Sequence, residues 1–409
     1  MATFDQLVKQ IDGNLDKQRD RGTAFEKMVV AYLKNEPAYK QKFSDVWMLN
    51  EVPEKYGIPK RDLGVDIVAR DYAGNLTAVQ AKYYKGKVGK DTINSFVAEM
   101  GKDYYSSGLL VSSTDQWNRN AEAALENNTK PITRIGLSQL RHAHFDWEKF
   151  SFAKENNLSN KKVKKLRYYQ QDAINNSLKY FKTHDRGKLI MAPGTGKTFT
   201  SLKIAEALMK DQGKANFNVL YLVPSIQLLS QTLFNWNNDK SDNLHMTSFS
   251  VVSDHKANQK KNKNDNSLGA KEIGFEPTTN VEELMDLYNQ IDFKNLGRNM
   301  TVVFSTYQSI DVIHKAQEAG YPEFDLIVAD EAHRTTGAKP LGEDSVFTKV
   351  HSNKNVKSKL RLYQTATPKI YDQNAKRKAK ENSIVVSSMD KVEQYGEEIY
   401  RECKIFCVN

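Results

Sequence analysis

Residues 191–198, Met-Ala-Pro-Gly-Thr-Gly-Lys-Thr, constrain the fold of this chain more than any other stretch. A short apolar segment precedes them, and residues 199–209 have the apolar spacing of a helix. A glycine-rich turn between a strand and a helix N-terminus gathers backbone N–H groups around an anion, and the helix dipole favours negative charge there. We expect Lys197 to reach the β- and γ-phosphates of a nucleotide and the Thr198 hydroxyl to bind Mg²⁺. The sequence therefore predicts a nucleotide-binding loop.

A second apolar strand, Phe-Asp-Leu-Ile-Val-Ala, ends in the adjacent acids Asp330 and Glu331. At a strand end, Asp330 is placed to hold the hydration shell of Mg²⁺, and Glu331 to polarise the water that attacks the γ-phosphate. We expect His333 to link this pair to the later run Thr-Ala-Thr-Pro, in which Thr365 and Thr367 are the coupling residues. Together the two runs predict a site for ATP hydrolysis.

Strands and helices alternate around these two runs. A strand at 218–223 precedes a helix at 226–236, and a strand at 300–305 precedes a helix at 308–319. A further apolar strand, 359–364, leads into the Thr-Ala-Thr-Pro run. Repeated strand–helix alternation predicts a parallel sheet covered by helices.

A different α/β pattern occupies the first 150 or so residues. Alternating segments at 65–69 and 76–82 flank a Gly-Asn turn, which predicts a β-hairpin. Gln80 and Lys82 are two residues apart and share one face of the second strand. The register that the turn implies brings Asp66 beside them.

A carboxylate, an amide oxygen and an amine on one strand pair suit metal-dependent cleavage of a phosphodiester. Asp66 and Gln80 would hold Mg²⁺, because a hard cation prefers oxygen ligands. The metal would polarise the phosphate and lower the pKa of its water, and Lys82 would orient that water or stabilise charge. Glu26, on a predicted helix, would supply a further carboxylate or hold Lys82.

Composition sets limits on the class of protein. A chain of 409 residues suggests two or three domains, and 39% hydrophobic residues suffice for their cores. The net charge of +10 suits a polyanionic partner. The two cysteines, Cys403 and Cys407, form no disulfide framework or zinc pattern. We expect no membrane partner and a cytoplasmic location, because neither a signal peptide nor an apolar run of ~18 residues is evident.

These patterns predict four segments, all within an α/β fold class. A small α/β domain occupies residues 1–155, and a basic linker follows at 156–165. A parallel-sheet nucleotide-binding lobe occupies residues 166–385. Residues 386–409 are interpreted as a truncated approach to a second lobe.

The first domain resembles the Mrr-like branch of the PD-(D/E)xK nucleases, in which Gln replaces the usual second acid. The residues that carry this resemblance are Gly22-x-x-Phe25-Glu26, Leu63-Gly64-Val65-Asp66-Ile67 and Gln80-Ala81-Lys82. The resemblance implies that the catalytic residues are Glu26, Asp66, Gln80 and Lys82.

The lobe at 166–385 resembles the first RecA-like lobe of a DEAH-type superfamily 2 ATPase. Its phosphate loop has Met191 where the strict pattern has Gly, and approaches the A-x-x-G-x-G-K-T form of helicase-like motors. The resemblance implies ATP contacts by Gln170, which would read the adenine base, and by Gly194, Thr195, Gly196, Lys197 and Thr198. It also implies contacts to the sugar–phosphate backbone of DNA at Pro224, Ser225, Ser305 and Thr306.

The order of the two domains resembles the N-terminal part of the Type ISP restriction–modification enzymes, which are single polypeptides. That resemblance implies an ATP-dependent restriction endonuclease that translocates along duplex DNA and cleaves it, with ATP and Mg²⁺ as cofactors. Methyltransferase and specificity parts are then expected in a missing portion of the chain or in partner subunits.

The same sequence features are compatible with other functions. The chain is also compatible with the motor subunit of a Type I restriction system or with a stand-alone phage-defence nuclease–helicase. A non-hydrolysing remnant that binds DNA and ATP is a further alternative, because about 40 residues follow Pro368 and these are too few for a second RecA lobe. We therefore expect a truncated motor with little turnover by this chain alone.

Overall fold

The computed structural model describes residues 3–61, 64–125, 128–152, 158, 164–252, 277–278, 280–340, 346–382 and 384–401. Leu63, most of the predicted linker at 156–165, and both cysteines lie outside the described residues. The chain forms two compact units that divide between residues 163 and 164. No helix of the described residues is long and apolar enough to cross a membrane.

The first unit is a five-stranded sheet with helices, in the strand order β1-β2-β3-β4-β5. Strands β1 to β3 pair antiparallel, whereas β3, β4 and β5 run parallel. Its elements are α1 (Phe4–Asn14), α2 (Gln18–Asn35), α3 (Pro37–Lys42), β1 (Phe43–Met48), β2 (Ile67–Asp71), β3 (Leu76–Lys82), α4 (Lys90–Met100), β4 (Ser107–Ser112), α5 (Arg119–Ala124), β5 (Ile132–Ile135) and α6 (Leu137–Arg141).

The predicted hairpin is present as β2 and β3. Its turn is stabilised by Asp71, whose carboxylate accepts hydrogen bonds from the backbone N–H of Asn75 at 2.8 Å and from the Asn75 amide at 3.0 Å. Gly74 in the same turn has φ +94°, a backbone conformation that suits glycine. Ile67 pairs with Val79 in the resulting register.

The second unit contains an eight-stranded parallel sheet in the order β15-β6-β13-β11-β7-β10-β8-β9. Its central strands β7, β10 and β11 are almost fully buried, as expected for a sheet with helices on both faces. Its elements are α7 (Tyr168–Tyr180), β6 (Arg186–Ile190), α8 (Lys197–Asp211), β7 (Asn216–Val223), α9 (Ile226–Asp239), β8 (His245–Val251), β9 (Pro277–Thr278), α10 (Val281–Asn289), β10 (Asn299–Thr306), α11 (Ile310–Glu318), β11 (Phe324–Ala329), β12 (Gly337–Pro340), β13 (Ser358–Thr365), α12 (Gln373–Glu381), β14 (Ile384–Ser387), α13 (Val392–Tyr395) and β15 (Glu397–Arg401).

The last described strand differs from the sequence-based expectation. Residues 386–409 were expected to approach a second lobe, but β15 pairs in parallel with β6 and forms an edge of the same sheet. Gly396, with φ +69°, turns the chain into this strand, and a Cβ there would lie 1.9 Å from the Arg186 carbonyl oxygen. Residues 386–401 therefore belong with the first lobe, and 402–409 lie outside the described residues.

Candidate active sites

The phosphate loop runs from the end of β6 into α8. Met191, the residue that departs from the strict pattern, is fully buried, and its backbone N–H donates to the Thr365 carbonyl oxygen at 3.1 Å. Met191 therefore extends the pairing of β6 with β13 before the glycine-rich turn begins, at a position that tolerates a large apolar side chain. Gly194 and Gly196 then adopt φ +78° and +90°, which lets the loop curve back on itself.

Gln170 closes the loop from the side of α7. Its Nε2 donates to the Thr195 carbonyl oxygen at 3.0 Å, and the neighbouring Tyr169 hydroxyl donates to the same oxygen at 3.1 Å. The Gln170 Oε1 accepts the backbone N–H of Arg167 at 3.0 Å. Gln170 therefore positions the loop, and its predicted contact with adenine stays a prediction.

Asp330 lies directly after β11, with 6% of its surface exposed. Its Oδ1 accepts the Glu331 backbone N–H at 2.8 Å, and the Tyr221 hydroxyl donates to its Oδ2 at 3.4 Å. Burial raises the pKa of Asp330 above its ordinary value, while the Glu331 N–H and the positive charge of Lys197 oppose that shift. A buried carboxylate of this kind is stabilised by a cation, so the residues present fit a bound Mg²⁺.

Glu331 and His333 form a second polar cluster beside Asp330. Glu331 has φ +48° and is the one non-glycine residue with a positive φ in the described part of the chain. The His333 Nδ1 lies 3.3 Å from Glu331 Oε2 and 2.9 Å from the Thr365 hydroxyl. The Thr367 backbone N–H donates to that hydroxyl at 3.2 Å. The structure thus brings together the two acids, the histidine and the Thr-Ala-Thr run.

The four residues predicted to contact DNA differ in exposure. Ser225 is exposed and caps α9, where its hydroxyl accepts the Leu228 N–H at 3.3 Å. Ser305 and Thr306 have buried side chains that bond within the protein, Thr306 to Ser309 at 2.9 Å. Strand β10 continues through both residues, and their contact with DNA stays a prediction. Pro224 is buried as well.

In the first unit, Asp66 immediately precedes β2 and lies opposite Gln80 of β3. Its backbone N–H donates to the Val79 carbonyl oxygen at 3.0 Å, and its Oδ2 accepts the Ala81 N–H at 2.8 Å. Lys82 follows on the same face of β3 and is half-buried. The structure therefore brings Asp66, Gln80 and Lys82 to one end of this hairpin.

Gln80 provides the observation that tests whether a metal fits this site. It is fully buried, and its Nε2 donates to the Gly64 carbonyl oxygen at 2.6 Å. Its Oε1 is buried without a hydrogen-bond partner among the described residues. Because such an oxygen is costly unless it gains a donor or a cation, the pair Asp66 and Gln80 fits a hard cation such as Mg²⁺.

Two further observations concern this site. Glu26 lies half-buried on α2, which packs against β3, and its role stays a prediction. Among the described residues there is no cluster of three or more His, Cys, Asp and Glu side chains suited to a metal. Asp66 and Gln80 differ from such a cluster because an amide supplies one of their two oxygens.

The geometry defines two classes of enzyme unit in one chain: a RecA-like P-loop ATPase lobe and a small nuclease-type α/β domain. Residues 163–370 match the family described as Type III restriction enzyme, res subunit, and the chain belongs to that family. Residues 34–157 match a second family, described as Restriction endonuclease. The chain thus carries a restriction endonuclease domain followed by a helicase-type domain, as the sequence predicted.

The chain is also similar to solved structures of Type ISP restriction–modification enzymes. The chain is 52% identical to an ATP-dependent Type ISP restriction–modification enzyme, LlaBIII, solved bound to DNA, with a TM-score of 0.83. The match covers 98% of this chain and 25% of LlaBIII. A nuclease-deletion mutant of the Type ISP enzyme LlaGI, solved with a DNA substrate mimic, is 50% identical over 59% of this chain and 20% of its own, with a TM-score of 0.45. The predicted resemblance to Type ISP enzymes is confirmed.

A more distant relative is a probable helicase of African swine fever virus. It is 30% identical over 206 residues, which are 50% of this chain and 20% of the viral protein. This sequence therefore spans about a quarter of LlaBIII and a fifth of the viral protein.

Two residues near the ATP site were missed by the sequence analysis. Tyr221 in β7 and Gln364 in β13 both lie in apolar strands, and both are fully buried behind Asp330. No sequence signal distinguishes them from core residues, because their contacts arise only when three strands lie side by side.

Proposed function

We propose that this chain is the nuclease and motor portion of an ATP-dependent restriction endonuclease that acts on duplex DNA. The observation that carries the proposal is the presence of two assembled sites in one chain, at Asp66–Gln80–Lys82 and around Asp330. Likeness to LlaBIII over 98% of the chain supports this function. Methyltransferase and specificity parts would belong to a further portion of the polypeptide or to partner subunits.

At the first site, the chain's own residues hold and orient the reacting groups. Mg²⁺, when bound, would polarise the scissile phosphate and lower the pKa of a water. Asp66, fixed by the Ala81 N–H, and Gln80, fixed by the Gly64 carbonyl, would present two oxygens to it. Lys82 would offset negative charge on the phosphate.

At the second site, the phosphate loop would receive the triphosphate of ATP. The backbone N–H groups between Gly194 and Thr198 and the Lys197 ammonium would bind its phosphates, while Thr198 and Asp330 would hold the associated Mg²⁺. Glu331 would accept a proton from the attacking water. The link from Glu331 through His333 to Thr365 would couple hydrolysis to movement along DNA.

Duplex DNA is the proposed polyanionic partner. The net charge of +10 suits it, and LlaBIII was solved bound to DNA. Within the second unit, Ser225 is the exposed member of the four predicted contacts. Translocation along DNA is proposed because superfamily 2 motors with this order of motifs move along nucleic acid.

Two variants of the full chain, one at each site and each assayed for both activities, test the proposal. Lys82→Ala should abolish Mg²⁺-dependent nicking of supercoiled DNA and leave binding of a fluorescent ATP analogue unchanged. Lys197→Ala should weaken nucleotide binding by about 10²-fold or more and leave basal nicking intact. The proposal fails for the first site if Lys82→Ala nicks as the wild type does, and for the second if Lys197→Ala binds nucleotide normally.

A further inference from the structure

Behind Asp330, three fully or almost fully buried polar side chains form a chain of hydrogen bonds. Gln364 Nε2 donates to the Tyr221 hydroxyl oxygen at 2.5 Å, and the Tyr221 hydroxyl donates to Asp330 Oδ2 at 3.4 Å. The exposed fractions are 0% for Tyr221 and Gln364 and 6% for Asp330. The donors all point towards the carboxylate, as an ionised Asp330 requires.

The sheet order explains how these residues meet. β11 lies between β13 and β7, so Asp330 at its end has a neighbouring strand on each side. Ala329 pairs with Tyr363 and Val328 with Tyr221, which places Gln364 level with Asp330 and Tyr221 two rows before it. Both side chains therefore approach the carboxylate from rigid strands.

Packing alone does not account for this arrangement. The Gln364 Oε1 is buried without a hydrogen-bond partner among the described residues, and a buried unsatisfied amide oxygen is destabilising. An apolar side chain at this position of β13 would avoid that cost.

We propose that Tyr221 and Gln364 are positioning residues of the ATP site, which hold the Asp330 carboxylate in the orientation that receives Mg²⁺. This inference rests on the proposed ATPase function. Asp330 Oδ1 is fixed by the Glu331 N–H, and Oδ2 is fixed by the tyrosine. Both oxygens are thus oriented before the cation arrives, which lowers the entropic cost of binding it.

Gln364 also connects this network to the Thr-Ala-Thr run. The next residue, Thr365, contacts His333 and through it Glu331. Adjacent residues of β13 are therefore linked to both acids, Gln364 through Tyr221 and Thr365 through His333, so that a small displacement of this strand end would move Asp330 and Glu331 together.

Tyr221→Phe is the direct test, because it removes only the hydroxyl. The ring keeps its edge contact with Trp236, at 5.0 Å between centroids, and its contact with Phe304, at 5.9 Å. Tyr363→Phe is the matched control: Tyr363 is another fully buried phenol, and its partner is His351 at 3.0 Å. Gln364→Met, which keeps the side-chain length, removes the donor to Tyr221.

The readout is binding of a fluorescent ATP analogue to the full chain, in EDTA and over a Mg²⁺ titration. For Tyr221→Phe and Gln364→Met we expect unchanged binding in EDTA and a Mg²⁺ half-saturation concentration raised about tenfold. Tyr363→Phe should match the wild type. A merely structural role would lower binding in EDTA and in Mg²⁺ alike, or lower only the thermal stability.

The outcomes distinguish failure of the proposed ATP site from failure of the positioning role. If the wild type binds the analogue without any Mg²⁺ dependence, the proposed ATP site is wrong. If the wild type shows the dependence and both variants titrate with Mg²⁺ as the wild type does, the positioning role is wrong and the ATP site stands. Should one variant fail to fold, the other variant still decides the question.

Discussion

The His333 Nδ1 lies 2.9 Å from the Thr365 hydroxyl, so the ends of β11 and β13 are joined through side chains at the edge of the sheet that carries the phosphate loop. The same imidazole lies 3.3 Å from Glu331. Glu331 follows β11 and Thr365 ends β13, so a single imidazole ring links the ends of the two strands.

Removal of the Thr365 hydroxyl should uncouple this link without removing nucleotide. For Thr365→Ala we expect single-turnover hydrolysis of bound ATP to slow about tenfold, which corresponds to ~1.4 kcal/mol, the scale of one polar hydrogen bond. Analogue binding should stay unchanged. Thr367→Ala is the comparison, since Thr367 reaches Thr365 through its backbone N–H. Equal losses in both variants would contradict the assigned link.

Position 196 requires glycine for two reasons, the backbone conformation and the nearby Gln170 side chain. It has φ +90°, and a Cβ there would lie 2.6 Å from Gln170 Nε2. Gly196→Ala should therefore weaken binding of the ATP analogue at least tenfold. Gly213→Ala is the matched control, because Gly213 also has a positive φ, +63°, but open space around it. It should cost about 1 kcal/mol of stability and leave binding unchanged. Normal binding by Gly196→Ala would show that Gln170 does not close the loop.

The buried His351 should make the free energy of unfolding depend on pH. Burial lowers its pKa from 6.5 to about 4, so the folded protein keeps it neutral where the unfolded chain is protonated. The free energy of unfolding should therefore fall as the pH drops from 6.5 towards 4, by about 2 kcal/mol between pH 7 and pH 5 from this residue.

Denaturant unfolding at pH 7 and pH 5 measures this contribution. His351→Gln should lose about 2 kcal/mol of the pH dependence, and His314→Gln, at a partly exposed histidine of α11, is the control for the substitution itself. An unchanged pH dependence in His351→Gln would rule out this histidine as the cause.

Substitution of Gln80 should reduce nuclease activity more than substitution of a glutamine usually does. Gln80→Met keeps the length of the side chain but removes the buried Oε1 and the donor to Gly64. We expect Mg²⁺-dependent nicking to fall by about 10²-fold while the nucleotide site is unaffected. Gln116→Met in the same unit is a control outside the hairpin. Full nicking by Gln80→Met would exclude the amide oxygen as a metal ligand.

The sequence predicted the parts of the structure that depend on local chemistry. The β2–β3 hairpin follows from its Gly-Asn turn and alternating residues, and the phosphate loop from its glycines and the helix behind it. These signals lie within a few residues of the structure that they specify, so a single sequence suffices to recognise them.

Features that depend on pairing between distant segments were missed or misplaced. Strand β8 was not predicted, and the residues of β15 were interpreted as an approach to a second lobe although they pair with β6. The predicted strand ended at Ser305, whereas β10 includes Thr306 and buries the side chains of both residues. Tyr221 and Gln364 gain their contacts only through the order of three strands, which no local pattern encodes.

The most direct measurement is Mg²⁺-dependent nicking of supercoiled DNA by the full chain and two aspartate variants of the same hairpin. Asp66→Asn alters the proposed ligand, whereas Asp71→Asn alters the turn at the other end of the hairpin. The wild type and Asp71→Asn should nick DNA at similar rates, and Asp66→Asn should be inactive. Equal nicking by Asp66→Asn and the wild type would contradict the nuclease site on which the proposed function depends.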